Sequence, residues 1–123
     1  MNKIIDKTCE WVFTGKLDTD MLAEDFHFSS PFYKEHDKAK FLADFKVSTF
    51  YKDRILSGIK SFDPVIKLTS SDAAHFALVF QYHMHNGQSV WETVLGKVNK
   101  QGLLVELRSI YDLAETNRAH GFA

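Results

Sequence analysis

The beginning of the chain carries apolar residues at helical spacing. They fall on one face of a helix predicted over residues 2–14, and Gly15 follows where a helix C-cap is expected. A second, short helix is predicted over 21–24, with Asp18 or Thr19 as its N-cap. The apolar positions of the first helix are Ile4, Ile5, Cys9, Val12 and Phe13.

Between the second and third predicted helices the pattern changes to alternation. Residues 26–32 alternate large apolar with small or polar side chains and include Pro31, which predicts a short edge strand. Helical spacing returns after the candidate N-cap Asp37 and continues from Lys38 to about Lys46. The end of this third helix stays open, because the residues that follow favour strands: Val47, Thr49, Phe50 and Tyr51.

After Gly58 the pattern is that of strands. Asn86-Gly87 is a hairpin signal, because both residues accept the positive φ of a tight turn, and Lys100-Gln101-Gly102 marks a second hairpin. Residues from about Ala114 form a polar tail. Helices first and strands afterwards predict an α+β domain. The predicted strands are 59–69, 74–85, 90–98 and 103–113.

Alternation along two of these strands predicts which side chains face inward. The inward set of the 74–85 strand is Phe76, Leu78, Phe80, Tyr82 and Met84. The inward set of the last strand is Leu103, Val105, Leu107, Ser109 and Tyr111, and its outward set is Leu104, Glu106, Arg108, Ile110 and Asp112.

Composition narrows the class of protein. A chain of 123 residues predicts one domain, and 45% hydrophobic with 25% charged residues is globular rather than disordered. A formal charge of -1 argues against nucleic acid or an anionic membrane as partner. The single cysteine, Cys9, and the absence of a long apolar N-terminal stretch predict a cytoplasmic protein. Eleven phenylalanines predict a core or a cavity lined by large flat side chains.

Three stretches resemble the nuclear-transport-factor-2-like superfamily, which includes ketosteroid isomerase and the SnoaL-like polyketide cyclases. They are FHFSSP at 26–31, DAAHFALVF at 72–80 and GLLVEL at 102–107. The resemblance implies one domain over 1–123, with a cone-shaped, curved antiparallel sheet wrapped around three N-terminal helices. It also implies an apolar cavity for a small molecule. A homodimer through the outer sheet face is predicted from the apolar residues that alternation places there: Ala77, Val79, Leu104 and Ile110. No cofactor is implied.

The resemblance departs from ketosteroid isomerase at its catalytic groups. That enzyme combines an aspartate base with an oxyanion site made of a tyrosine and a protonated aspartate. This chain has Ser30 at the position of the base, Thr8 at the tyrosine and Val94 at the second aspartate. We therefore expect no isomerisation of Δ5-3-ketosteroids.

The register of the 90–98 strand has two alternatives. Matching back from Gly102 by the superfamily pattern places Val90, Glu92, Val94 and Gly96 inward. A two-residue turn at Asn86-Gly87 would instead put Glu92 outside, because a shift of one residue reverses every side chain. The first alternative is preferred, since a bulge near the hairpin reconciles it with the turn.

Glu92 is the candidate catalytic base, because it is the carboxylate that this register brings to the inward faces of the last three strands. The candidate ligand-binding residues are Trp11, Phe28, Ser30, Phe80, Tyr82, Val94, Ser109 and Tyr111. His75, His83 and His85 lack the ligand set of a zinc site, and no metal is predicted. Two functions stay open: a pocket protein that binds or transforms a small apolar metabolite by acid-base chemistry, and a non-catalytic dimeric interaction module.

Overall fold

A computed structural model describes residues 1–47 and 51–122. Its first helix, α1, runs over Asn2–Thr14 and ends at Gly15, which has a φ of 80° and donates its backbone N–H to the carbonyl of Trp11 at 2.8 Å. The predicted helix and its cap are both confirmed. The face that α1 turns to the sheet buries Ile4, Ile5, Thr8, Trp11 and Val12.

The predicted second helix is wrong. Asp18 does cap a turn, since its carboxylate accepts the N–H of Asp20 at 3.0 Å, but the helix is a single 3-10 turn over Thr19–Met21. Strand β1 then runs over Leu22–Ser30, and its first two residues are buried. Hydrogen bonds to a neighbouring strand satisfy the backbone N–H and C=O groups of β1. A helix over these residues would lose both those hydrogen bonds and the burial of the first two side chains.

Strand β1 is also not the edge strand that the pattern predicts. It lies between β2, at Lys34–Asp37, and β7, at Leu104–Ile110. The edge strand on this side of the sheet is β2, which is short and carries charged residues, as exposed edge strands usually do. Pro31 lies in the turn between β1 and β2, where its missing N–H costs no ladder bond.

The third predicted helix begins at the predicted cap. Asp37 accepts the N–H of Lys40 at 2.9 Å, and α2 runs over Lys38–Leu42. It continues as a wider π-helical turn over Ala43–Val47, and a second π-helical turn covers Tyr51–Ile55. Of the four residues said to favour a strand, Thr49 and Phe50 lie outside the described residues, Val47 ends the first π-helical turn and Tyr51 begins the second.

The rest of the sheet follows the predicted meander. Its strands are β3 at Ile59–Phe62, β4 at Ile66–Thr69, β5 at His75–Met84 and β6 at Ser89–Val98. The predicted strand over 59–69 divides into β3 and β4, which both pair with β5. The order is β2-β1-β7-β6-β5-β3, and every pair is antiparallel except β1 with β7. The α+β class with a curved open sheet is confirmed.

The register of β5 and β6 follows the preferred alternative. Phe80 pairs with Glu92 and Tyr82 with Val90. The two-residue turn is wrong, because Met84 pairs with Gln88 and Gly87 adopts a φ of 89°. Gly87, in the left-handed conformation after the turn, forms a β-bulge, and this bulge shifts the register by one position. The whole predicted inward set of β5 is buried.

A second bulge overturns part of the predicted alternation in β7. Lys97 pairs with Glu106, whereas Val98 pairs with Leu104, so the faces exchange between these two pairs. Leu107 and Ser109 are buried, as predicted. Leu104 is fully buried rather than outward, and the inward assignment of Leu103 and Val105 is wrong.

The predicted tail is a helix. Asp112 accepts the N–H of Glu115 at 2.8 Å, and α3 runs over Leu113–His120. Asn86 donates its side-chain amide to the carbonyl of Ala119 at 2.9 Å, which ties α3 to the β5–β6 hairpin. Across residues 1–47 and 51–122, no helix has the length and apolar character needed to cross a bilayer.

Candidate functional site

A cavity of about 80 Å³ lies between α1, the inner face of the sheet, the π-helical turns and α3. Of the predicted site residues, Val94 does not line it, because this side chain is fully buried in the core opposite Leu78. All the others do: Trp11, Phe28, Ser30, Phe80, Tyr82, Glu92, Ser109 and Tyr111.

Aromatic side chains form most of the cavity wall. Trp11 stacks on Tyr51 with ring centroids 5.1 Å apart, and the Tyr51 hydroxyl donates to the carbonyl of Val12 at 2.6 Å. On the other side, Phe62 packs against Phe80 at 6.0 Å. Rings held on several sides in this way keep an apolar space open, because they lack the freedom to collapse into it.

Glu92 brings a carboxyl group into this apolar space. It is half-buried and lines the cavity. No described residue donates a hydrogen bond to its carboxyl group, and the described lining contains neither lysine nor arginine. Burial without a compensating partner raises the pKa of Glu92 to about 8, so the group is mainly protonated at neutral pH.

Buried Tyr82 and half-buried His120 form a pair at the same cavity. The Tyr82 hydroxyl lies 2.9 Å from Nε2 of His120. Burial lowers the pKa of His120, which is therefore neutral at physiological pH. Burial first, and the charge of Glu92 second, raise the pKa of Tyr82, which stays a neutral phenol. Nδ1 of His120 is buried with no hydrogen-bond partner among the described residues.

His120 is not among the predicted site residues, because the polar residues after Ala114 predict a tail. A signal was present: Asp112 followed three residues later by Glu115 is a capping-box pattern, and Gly121 stands at the C-cap with a φ of 74°. Together they mark the start and end of the helix that carries His120 and Thr116 into the cavity wall.

Ser30 and Tyr111 form a polar corner of the cavity. Ser30 Oγ accepts the backbone N–H of Tyr33 at 2.9 Å, and the Tyr111 hydroxyl lies beside it. Thr8, in contrast, donates to the carbonyl of Ile4 at 2.8 Å inside α1 and is not part of the described lining. Of the three positions compared with ketosteroid isomerase, only Ser30 therefore borders the cavity.

Solved structures of other proteins share the fold of this chain. No family model matches the chain, and no curated protein sequence matches it significantly. A steroid delta-isomerase from Pseudomonas aeruginosa superposes with a TM-score of 0.70 over 98% of this chain and 85% of that one, at 16% identity. A bacterial protein with a cystatin-like fold from Silicibacter pomeroyi superposes with a TM-score of 0.70 over 98% and 84%, at 19% identity. The chain has the nuclear-transport-factor-2-like fold.

A third structure with this fold is a computationally designed 17-OHP binder, with a TM-score of 0.60 over 90% of this chain and 92% of that one, at 17% identity. At such identities the likeness establishes the fold alone. The chemistry that this chain can perform therefore depends on its own cavity residues.

The outer sheet face of this nuclear-transport-factor-2-like fold holds the histidines considered as metal ligands. His83 has both ring nitrogens in hydrogen bonds, Nδ1 with Ser89 Oγ at 2.7 Å and Nε2 with Asp63 Oδ1 at 2.9 Å. His75 is exposed near Asp72, and His85 is exposed beyond β5. Residues 1–47 and 51–122 contain no cluster of three side chains suited to hold a metal ion.

Proposed function

We propose that the protein binds a small, largely apolar metabolite in this cavity and transforms it by proton transfer at Glu92. The observation that carries the proposal is the Glu92 carboxyl group, which lies among aromatic side chains and has no hydrogen-bond partner among the described residues. Isomerisation, dehydration and cyclisation are reactions that one positioned acid-base group can serve. The steroid delta-isomerase among the similar structures supports ligand chemistry in this fold.

The size of the cavity limits the ligand. A volume of about 80 Å³ is well below the roughly 300–1,000 Å³ of pockets that enclose drug-sized ligands. We therefore infer a metabolite of few heavy atoms, with one small ring or a short branched chain.

The pKa of Glu92 allows proton transfer in either direction. With a pKa of about 8, roughly a tenth of the molecules carry the carboxylate at pH 7, and the rest carry a proton that can be donated. A group whose pKa lies near the working pH combines a useful population of each form with a useful driving force for transfer. Glu92 can thus act as the base when ionised and as the acid when protonated.

The experiment uses nitroethane, a small carbon acid, as the probe. Wild-type protein in deuterated buffer should accelerate deuterium exchange at the carbon next to the nitro group, with a rate that rises through about pH 8. Glu92→Gln keeps the shape and removes the base, so it should return exchange to the buffer rate. Equal exchange rates for the two proteins across the pH range would contradict proton transfer at Glu92.

The outer sheet face favours the second candidate, a dimeric interaction module. Exposed apolar side chains lie in neighbouring cross-strand rows, and Trp91 is 56% and Ile110 45% exposed. Buried Leu104 is not part of this surface, contrary to the predicted alternation. The outer apolar side chains are Ile66, Leu68, Trp91, Leu95 and Ile110.

Apolar patches of this kind are usually covered in small domains, and we infer a homodimer through this face. Sedimentation at micromolar concentration should give the dimer mass, and Leu95→Lys should give the monomer. A monomeric wild type would contradict the inference. A dimer that binds no small molecule in its cavity would favour the interaction module over the pocket protein.

A further inference from the structure

Thr116 and His120 bring two unpaired polar atoms to the same wall of the cavity. They stand four residues apart on α3, so they share one face of the helix, with Cβ atoms about 5–6 Å apart. Both residues line the cavity. Oγ1 of Thr116 and Nδ1 of His120 are buried and have no hydrogen-bond partner among the described residues. Buried polar atoms without a partner are rare in folded proteins, and two of them on neighbouring helix positions indicate a shared ligand.

Two other threonines in helices show how Thr116 differs. A threonine inside a helix can donate its hydroxyl to the carbonyl group four residues earlier. Thr8 donates in this way to Ile4 at 2.8 Å, and Thr14 donates to Glu10. Thr116 is only 8% exposed, yet its hydroxyl makes no such bond within the described part of the chain. Threonine has two common rotamers in helices, so this hydroxyl can turn to a ligand while α3 stays in place.

His120 limits which ligand group can complete the pair. Its Nε2 lies 2.9 Å from the Tyr82 hydroxyl, so Nδ1 is the ring nitrogen left for a ligand. Because burial lowers the pKa of His120 and keeps the ring neutral, Nδ1 is an acceptor in one tautomer and a donor in the other. A hydroxyl group both donates and accepts, so it can bond to Nδ1 and to Thr116 in either tautomer. A carbonyl oxygen only accepts, and it fits one tautomer alone.

We propose that the cavity ligand is a small alcohol and that Thr116 and His120 of α3 bind its hydroxyl group. This inference rests on the proposed function, and it names the substrate class and a binding site on α3. A carboxylate in place of the alcohol would be buried without a cation, because the described lining contains neither lysine nor arginine. The apolar part of the alcohol contacts the aromatic side chains that form most of the cavity wall.

The test compares cyclopentanol with methylcyclopentane, which have nearly the same shape and differ in a hydroxyl group against a methyl group. Binding is followed by NMR of the methyl groups of Val12 and Ile59, which line the cavity. The measured quantity is the ratio of the two affinities in the wild type, in Thr116→Val and in His120→Phe. Each substitution removes one hydrogen bond to the ligand hydroxyl, so each should lower the ratio of alcohol to hydrocarbon affinity about three- to tenfold.

Thr8→Val is the matched control for Thr116→Val. It makes the same change at another buried helical threonine, whose hydroxyl is bonded within α1 and which is not part of the described lining. The affinity ratio should keep its wild-type value in Thr8→Val, and Thr116→Ser, which retains a hydroxyl, should keep most of it. An equal fall of the ratio in Thr8→Val would show that a loosened core sets the ratio, and it would overturn the inference.

The ¹⁵N chemical shift of Nδ1 of His120 gives a readout that a purely structural role would not move. Cyclopentanol should change this shift, and methylcyclopentane should leave it near its value in the free protein. If both ligands bind but neither the ratio nor the shift responds as expected, the inference is overturned and the proposed pocket stands.

Cyclopentanone tests the choice of a hydroxyl group. If it binds as tightly as cyclopentanol and depends equally on Thr116, the position takes any acceptor, and the assignment of an alcohol is overturned. If none of the three ligands binds, the inference and the proposed pocket both fail.

Discussion

Replacing Glu92 by glutamine should change the pH dependence of stability in a predictable direction. The folded pKa of about 8 lies above the ordinary value of 4.5, so the folded state binds the Glu92 proton more tightly than the unfolded state does. The stability that this group gives is fully present below about pH 4.5 and is lost as pH rises through about 8. Between these values stability falls by about 1.4 kcal/mol per pH unit, or about 3 kcal/mol by pH 7.

The assay is urea unfolding of wild type and Glu92→Gln at fixed protein concentration from about pH 5 to pH 9, followed by the fluorescence of buried Trp11. The quantity of interest is the difference in unfolding free energy between the two proteins. Titratable groups that the two proteins share contribute equally to both unfolding free energies, so they cancel in the difference. His120 is one of them: its lowered pKa makes stability rise with pH below its ordinary pKa. The glutamine amide that replaces the carboxyl group changes the unfolding free energy by an amount that does not depend on pH.

The difference should rise in favour of Glu92→Gln from about pH 5 and level off above about pH 8. Glu24→Gln is the matched control, because it removes the same charge from a fully exposed side chain on β1. A Glu92 curve that stays as flat as the Glu24 curve would show that Glu92 is solvated in the folded state, and the case for acid-base chemistry would lose its carboxyl group.

Two further predictions concern the elements that shape the cavity. A Cβ at Gly96 would overlap the ring of buried Phe76, so Gly96→Ala should lose about 1–3 kcal/mol in urea unfolding. Adding Phe76→Leu should recover part of that loss, and no loss in Gly96→Ala would show that the ring moves freely. Asp112→Ala removes the N-cap of α3 and should cost about 1 kcal/mol, seen as faster amide hydrogen exchange over 115–120. Unchanged exchange would mean that packing alone holds α3.

The periodicity of apolar residues correctly predicted the elements that are buried on one face and exposed on the other. Helix α1 and strand β5 each present one apolar face along their whole length, so their pattern and their environment agree. The pattern failed where a short segment had two options. Residues 21–24 are apolar enough for a helix turn, yet only Met21 lies in one, because β1 begins at Leu22, which pairs with Leu104 of distant β7. The exchange of faces in β7 depends on a bulge that no local pattern encodes.

The same distinction explains which parts of the candidate site could be predicted. Matching back from Gly102 by the superfamily pattern places Glu92 inward, and its pairing with Phe80 confirms this register, whereas a two-residue turn at Asn86-Gly87 would place Glu92 outside. His120 was missed because its importance is not local: α3 is polar on most of its surface, and only Thr116 and Ala119 are buried along it. What brings His120 to Tyr82 is the hydrogen bond of Asn86 to Ala119, a contact across 33 positions of the chain. The β5–β6 turn therefore sets the register of β6 through the bulge at Gly87 and anchors α3 through Asn86, so this turn helps to position both Glu92 and the partner of Tyr82.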